Sequence, residues 1–460
     1  MDDAKAKLYQ RIVHQANNHF VLSRMKLHGF WPAGQGLPED PPDEAAERAA
    51  VEKELQELRQ QHSIVKDPEK ALAQERKRRW EESKKRRAER KAQRAAEAKA
   101  ARELHEELRQ KTVIHAGPQV SAGLQDTFSN EAELTRRGLP LLSRGEELAQ
   151  AMGITIAKLR WLTYHRQGAA VVHYHRYSIA KKTGGARAIS APKRALADAQ
   201  QWILAHILSK LAVEPQAHGF VPGRSIVSNA VEHVGKKVVI NLDLRDFFPT
   251  FTFPRVKGLF RALGYSEHLA TVLGLLTTEP PRVATEHAGK VYHVALGQRV
   301  LPQGACTSPA ITNAACLRLD RRLAGLARRQ GFQFTRYADD LTLSGDEPAA
   351  VGKLLASVRS ILLAEGFVLH PRKTRVMRRA SRQEVTGVTV NQRPTISRRE
   401  VRELRAILHN GARHGLESQN REHRANFAAH LRGRVAFISM VDPERGKQLQ
   451  QALARALARG

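Results

Sequence analysis

The sequence predicts an α/β core set between two helical ends, and three observations carry that reading. Between about residues 171 and 344, runs of β-branched and alternating apolar residues are cut by turn signals and separated by helix-like segments. Beyond Asn391 the pattern is helical throughout. From Asp43 to about Gln110 the chain is built from Ala, Glu, Lys, Arg and Leu, with no Gly and a single Pro, Pro68. That composition belongs to a long helix or a pair of helices.

In chain order, residues 1–42 hold an apolar stretch with Phe20, Phe30 and Trp31 that ends in a Pro-rich break, Pro38 to Pro42. In the helical segment that follows, Arg76 to Arg94 carries eleven Lys or Arg against three Glu. Those acids are too few to neutralise the bases through i,i+4 pairs. Two readings stand: a solvated charged helix, or a helix that grips a phosphate backbone. A Gly- and Ser-bearing link, Gly117 to about Asn130, leads into globular texture. Val171–Lys182 and Ala186–Ala191 read as strands joined at Thr183-Gly184-Gly185, a hairpin turn signal. Lys236–Leu244 is a β-branched strand and Phe334–Ser344 a second hairpin. In the helical end, Ser397 with Glu400 forms a capping box, Gly411 stops that helix, and Asp442-Pro443 starts the last one. No internal repeat is visible. The expected divisions are 1–130, 131–235, 236–390 and 391–460.

At 460 residues with 42% hydrophobic side chains, the chain can bury a substantial core. Its formal net charge of +30 is far more than solubility needs and points to a polyanionic partner. Nucleic acid fits better than a membrane, because no apolar run reaches the ~18–20 residues of a membrane span. The start, Met1-Asp2-Asp3-Ala4-Lys5, has no apolar signal region, so secretion is not expected. The only cysteines are Cys306 and Cys316. Ten positions apart in one helical segment, they would stand roughly 15 Å apart and could not pair, which fits a reduced cytoplasm.

Two acidic sites punctuate apolar strands. In Val238-Val239-Ile240-Asn241-Leu242-Asp243-Leu244, period-two alternation puts Ile240, Leu242 and Leu244 on one side and Asp243 with Asn241 on the other. Tyr337-Ala338-Asp339-Asp340-Leu341 falls at the tip of a tight hairpin. Phosphoryl transfer needs such carboxylates, since two Mg²⁺ ions about 3.5–4 Å apart activate the attacking oxygen and steady the leaving pyrophosphate. Hard cations want oxygen ligands on rigid elements. An Asp-Asp turn alone is commonplace; a strand Asp paired with one is a far better candidate.

Tyr337-Ala338-Asp339-Asp340 resembles the YADD box of reverse transcriptases, and the segment ending in Asp243 resembles that family's other metal-binding box. Further boxes occur in family order. Lys181-Lys182 through Arg187 resembles the fingers hairpin that holds the incoming triphosphate. Leu301-Pro302-Gln303-Gly304 with Thr307-Ser308-Pro309 resembles the LPQG box beside the nascent base pair. Glu365-Gly366-Phe367 with Lys373 resembles the next box, whose lysine helps neutralise pyrophosphate. Cys306 departs from the family, where Pro is expected. Within the family, Asn229-Ala230-Val231-Glu232-His233 and Val385-Thr386-Gly387 are similar to the two signatures of retron reverse transcriptases. Read by chemistry alone, Asn229 and His233 share a helix face in an ordinary capping or core role, and Val385 to Gly387 is a strand end with a Gly turn.

The resemblance covers roughly residues 155–440 and implies a right-hand polymerase: a ferredoxin-like α/β palm (236–390), fingers (131–235), an α-helical thumb (391–460) and an added basic helical extension (1–130). It implies two Mg²⁺ ions on Asp243 and Asp339, with Asp340 ligating less directly and Leu244 adding a backbone carbonyl. Lys181, Lys182, Arg187, Gln303 and Lys373 are expected at the dNTP, and Phe248 as the ring that rejects a ribose 2′-hydroxyl. Asn229, His233, Val385, Thr386 and Gly387 are expected at the RNA. Family members copy a dedicated non-coding RNA from the 2′-hydroxyl of an internal guanosine into a branched RNA–DNA hybrid, msDNA. They commonly serve antiphage defence, some with an effector protein. The competing readings are another bacterial reverse transcriptase, of group II intron or abortive-infection type, and a non-catalytic RNA-binding scaffold. Intact Asp243, Asp339 and Asp340 speak against the scaffold.

Overall fold

The computed structural model describes residues 20–36, 53–54, 57, 68–180 and 184–458. They divide into two compact units: the described residues up to Ala116 with Ile154–Arg160, and Gly117–Gly153 with the chain from Trp161 onward. The division falls at Ala116 rather than near 130 because the link is packed into the second unit. Val120 and Leu124 are buried, and the Asn130 amide donates to the Gly264 carbonyl at 2.7 Å.

The first unit contains α1 (Phe20–Leu27) and α2 (Pro68–Lys111). Pro68 opens α2 at the position where a missing N–H costs nothing. At 44 residues it extends about 66 Å. Every residue from Arg76 to Ala100 is exposed. The expected helical stretch from Asp43 to 67 falls almost wholly outside the described residues.

The second unit is built on a four-stranded antiparallel sheet of β4 (Val238–Asp243), β7 (Phe332–Tyr337), β8 (Asp340–Gly345) and β9 (Arg375–Arg378), in the order β7-β8-β4-β9. Helices α5 (Phe253–Ala262), α6 (Glu267–Thr277), α7 (Thr307–Ala315) and α8 (Leu317–Arg329) follow β4, and α9 (Val351–Ala364) precedes β9. A β-α-β-β-α-β path with that order is the ferredoxin-like palm. Val238, Val239, Ile240 and Leu242 are all buried, so β4 is covered on both faces and makes the centre of the sheet.

The fingers hairpin pairs β2 (Tyr174–Ala180) with β3 (Ala186–Pro192), from Tyr174 opposite Pro192 to Ala180 opposite Ala186. Its expected strand start, Val171, lies three residues before the ladder begins. Behind the hairpin, α3 (Arg194–His206) buries Gln200, which donates to the Leu276 carbonyl at 2.8 Å. A small sheet of β1 (Gly168–Ala169), β5 (Arg282–His287) and β6 (Lys290–Ala295) completes the strands before the palm hairpin.

The thumb comprises α10 (Arg398–His414), α11 (Phe427–Val441) and α12 (Pro443–Leu457). Ser397 caps α10 through the Glu400 amide, and Asp442 caps α12. Gly411 does not stop α10, which runs on to His414 and ends at Gly415 with φ +82°. Gly411 is there for packing: a Cβ on it would lie 2.7 Å from Leu416 Cδ2. The thumb core of Leu404, Leu408, Leu431 and Leu453 is continuous with Val385, Val388 and Val390 around the short hairpin of β10 (Glu384–Val385) and β11 (Val388–Thr389). Cys306 and Cys316 bracket α7 and both are free thiols. No described helix is long and apolar enough to cross a membrane.

Candidate active site

Two strand ends bring the acids together. Asp243 closes β4 directly opposite Asp340, the first residue of β8, and the Leu244 amide donates to the Asp339 carbonyl at 3.0 Å. Like charges facing each other across a ladder are destabilising, so stability alone does not explain them. Between β7 and β8 the chain turns through Ala338 at φ +57°, a left-handed conformation unusual for a residue with a Cβ. Enclosure and the negative charge of Asp243 raise the Asp339 carboxyl above its ordinary value, while Lys373 and Arg187 oppose the shift. Enclosure comes first for Asp340 too, followed by the charges of Asp339 and Asp243, and pushes it up to about 7. Asp340 nevertheless keeps an exposed edge, which leaves it open to ligands from solvent.

Lys373 sits on this cluster, with Nζ donating to Asp243 Oδ1 at 3.0 Å and Oδ2 at 2.8 Å. Its ammonium stands where a cation would bind the carboxylate. Among the described residues no three His, Cys, Asp or Glu side chains close a cation cage by themselves. Mg²⁺ characteristically takes one or two carboxylates and completes its shell with water and substrate phosphate oxygens, so this open, repulsive donor set fits it.

Arg187 lies on β3, and its charge reaches Asp339. The Gln303 carbonyl accepts from the Ser190 amide of β3 at 2.7 Å, which ties the Leu301–Gly304 loop to the fingers. Gly304 has φ +114°, and a Cβ on it would lie 3.0 Å from the Ser190 carbonyl oxygen, so glycine is required there. Phe248 is half-buried against Phe247 with ring centroids 5.6 Å apart. Phe247 in turn packs on Phe251 and Phe367. Lys181 and Lys182 lie outside the described residues.

Residues 179–390 match the family model "Reverse transcriptase (RNA-dependent DNA polymerase)". The chain is 49% identical over 327 residues to the retron Mx65 reverse transcriptase of Myxococcus xanthus, covering 71% of this chain and 75% of that protein. It is 44% identical to the retron Mx162 reverse transcriptase of the same organism, covering 75% of each. It is 33% identical to the retron Ec86 reverse transcriptase of Escherichia coli, over 70% of this chain and 92% of that one. The chain belongs to the retron reverse transcriptases.

It is therefore an RNA-directed DNA polymerase, and the Asp243, Asp339 and Asp340 cluster lies in the matched part of this retron enzyme. The two retron signatures meet. Asn229, on α4 (Ile226–Val231), donates from Nδ2 to Thr386 Oγ1 at 3.4 Å across 157 residues of sequence. Thr386 also donates to the Ile226 carbonyl at 3.3 Å, and turns at φ +47° beside Gly387 at φ +86°. His233 lies beyond the end of α4 rather than on a shared helix face, because the helix stops at Val231. Its ring bonds Ser344 Oγ and Thr335 Oγ1, each at 2.7 Å, and burial pushes its pKa down to about 3. Asn229, His233 and Val385 have no exposed surface, whereas Gly387 is exposed and Thr386 partly so.

Sequence reasoning missed Arg336, Asp320 and Asn313, which lie behind the turn between β7 and β8. Arg336 is fully buried and forks onto Asp320 with both bonds at 2.7 Å. The signal was present: Phe332, Phe334 and Arg336 share one face of β7 by period-two alternation, and an arginine on an apolar face requires a buried acid.

Proposed function

We propose that this retron polymerase copies part of a structured non-coding RNA into DNA from the 2′-hydroxyl of an internal guanosine. The product is then a branched RNA–DNA hybrid, msDNA, made in the bacterial cytoplasm in antiphage defence, with an effector protein as a further partner. The observation that carries the reading is the junction of the two signatures, where Asn229 holds Thr386. Buried Asn229 supports the turn from behind, with Val385 buried at its base; His233 is held instead by Ser344 and Thr335 of the palm strands, and Thr386 with Gly387 offers the turn to the RNA. Recognition of this kind reads RNA shape and unpaired bases.

In this reading Asp243 and Asp339 hold two Mg²⁺ ions, with Asp340 ligating less directly and the Leu244 carbonyl assisting. The chemistry supplied by bound Mg²⁺ is activation of the attacking hydroxyl and neutralisation of the leaving pyrophosphate. Lys373, whose Nζ bonds Asp243, would help neutralise the pyrophosphate. Lys181, Lys182 and Arg187 meet the triphosphate of the dNTP, Gln303 lines the nascent base pair, and Phe248 excludes a ribose 2′-hydroxyl. The fingers occupy 131–235, the palm 236–390 and the thumb 391–460. The basic extension, 1–130 by sequence, clamps phosphates along a duplex or folded RNA.

The test is to purify the chain with its bound nucleic acid, sequence the RNA, and treat the product with a 2′,5′-debranching enzyme. Release of DNA from a single RNA species supports the reading. DNA carrying no 2′ linkage to RNA would overturn it in favour of another bacterial reverse transcriptase. A pure chain unable to extend any annealed primer would leave only the scaffold reading.

A further inference from the structure

We propose that Arg336 is the positioning residue of the catalytic turn, fixing the Ala338 carbonyl and tying the turn to the helix behind the Leu301–Gly304 loop. Arg336 stands at the end of β7, two residues before Ala338. Its Nε and Nη2 are occupied by Asp320 of α8, both at 2.7 Å. The remaining nitrogen, Nη1, reaches Asn313 Oδ1 of α7 at 3.0 Å and the Ala338 carbonyl at 3.4 Å. Asp320 thus sets the plane of the guanidinium, and the plane aims Nη1 at the turn.

Ala338 needs such a hold. A residue with a Cβ stays in the left-handed region only where its surroundings over-determine it. The other side of the turn is gripped by backbone. The Arg336 amide donates to the Gln216 carbonyl and its carbonyl accepts from the His218 amide, each at 2.8 Å. Asn313 Nδ2 donates to the Gly219 carbonyl at 3.0 Å. A Cβ on Gly219 would lie 2.5 Å from the Ala338 nitrogen, so the 216–219 segment lies flush against the turn. Asn313 therefore bridges the two grips, with its oxygen on Arg336 and its amide nitrogen on Gly219.

Stability by itself does not account for this arrangement, because apolar pairs of similar volume commonly replace buried ion pairs without loss. An apolar pair cannot hold the Ala338 carbonyl. Since α7 follows directly on the Leu301–Gly304 loop, the same guanidinium links the metal-binding turn with the loop against β3. The inference rests on the assignment of Asp339 and Asp340 as the metal-binding carboxylates. Asp339→Asn tests that assignment separately.

The experiment compares full-length Arg336→Met/Asp320→Leu and Arg336→Lys with the parent. The readouts are melting temperature, binding of the co-purifying RNA, dNTP KM, kcat, and Mn²⁺ binding by electron paramagnetic resonance. The double variant is expected to melt with the parent and bind RNA normally. Its kcat should fall roughly 10–100-fold, since a misplaced reacting group costs that much. Its dNTP KM should stay within about threefold, and its Mn²⁺ binding should weaken. Arg336→Lys keeps the charge and loses the fork, so it should show a smaller loss of the same kind. Parental kcat and Mn²⁺ binding in a folded double variant would overturn the proposal. If the double variant fails to fold, Arg336→Lys decides by the same readouts, and failure of both to fold makes the pair structural and also overturns it.

Discussion

The basic extension and the catalytic core use the same side chains in opposite ways. On α2, Arg76, Trp80, Lys84, Arg87, Lys91 and Arg94 recur every three or four residues and so form one stripe, all of it exposed. The acids Glu75, Glu82 and Glu89 fall on the other side of the helix. There Arg78 pairs with Glu75 at 3.0 Å and with Glu82 at 3.9 Å, and Arg79 with Glu75 at 3.3 Å. Lys84 lies 5.0 Å from the Trp80 ring centroid on the stripe itself. In the core, arginines are consumed internally: Arg336 by Asp320, and Arg176 and Arg282 by Glu279 at 2.6 and 3.0 Å. Charge left on a solvated face is available to a polyanion. Charge enclosed in the core holds geometry instead.

The comparison breaks first at the acids. Asp339→Asn should abolish DNA synthesis, by more than about a thousandfold, while RNA binding survives. Near-normal Mg²⁺-dependent extension by this variant would remove Asp339 from the site. Next comes sugar choice. Phe248→Ala opens room for one oxygen and should raise ribonucleotide incorporation roughly tenfold or more relative to dNTP. A folded variant with unchanged preference would make Phe248 a packing residue beside Phe247.

The extension should show smaller, salt-dependent effects. Changing Arg76, Arg87, Lys91 and Arg94 together to Gln in the full chain should flatten log affinity against log salt by about 0.7–0.9 for each phosphate no longer neutralised. Extension of an annealed primer should be unchanged. An unchanged slope with altered oligomeric mass or partner binding would make the stripe a protein-docking surface.

The smallest effect is on stability against pH. Burial holds His233 at about 3 and His165 at about 4 in the folded core, below the unfolded value of about 6.5. The unfolded chain binds more protons below that value, so stability is fully present above about 6.5 and is lost as pH falls toward 3–4. Melting followed by circular dichroism should drop by several degrees between pH 7 and 5. His233→Gln should lower the melting temperature at pH 7 and shallow that slope. An equal slope in the variant would assign the acid sensitivity to the other buried histidines.

Much of this molecule was legible in its residues. The Asp243 strand, the Asp339-Asp340 tip, the fingers hairpin, the Ser397 cap and the long charged helix all follow from local patterns, because alternation, turn chemistry and capping act over a few residues. Gly411 misled for the same reason: a glycine near a helix end reads as a stop, and only the packing against Leu416 shows why it is inside the helix. His233 likewise reads as a helix-face residue until Ser344 and Thr335 are seen around it.

By itself the sequence determined the family boxes, the secondary structure that carries them and the excess of positive charge, since each is written in residue type and short-range spacing. The tertiary structure decided which carboxylates face each other, that Asn229 supports Thr386 across 157 residues, and that Arg336 with Asp320 backs the turn. Those relations depend on sheet register and on burial. Both are set by how distant segments exclude water together, and neither is encoded at any single position.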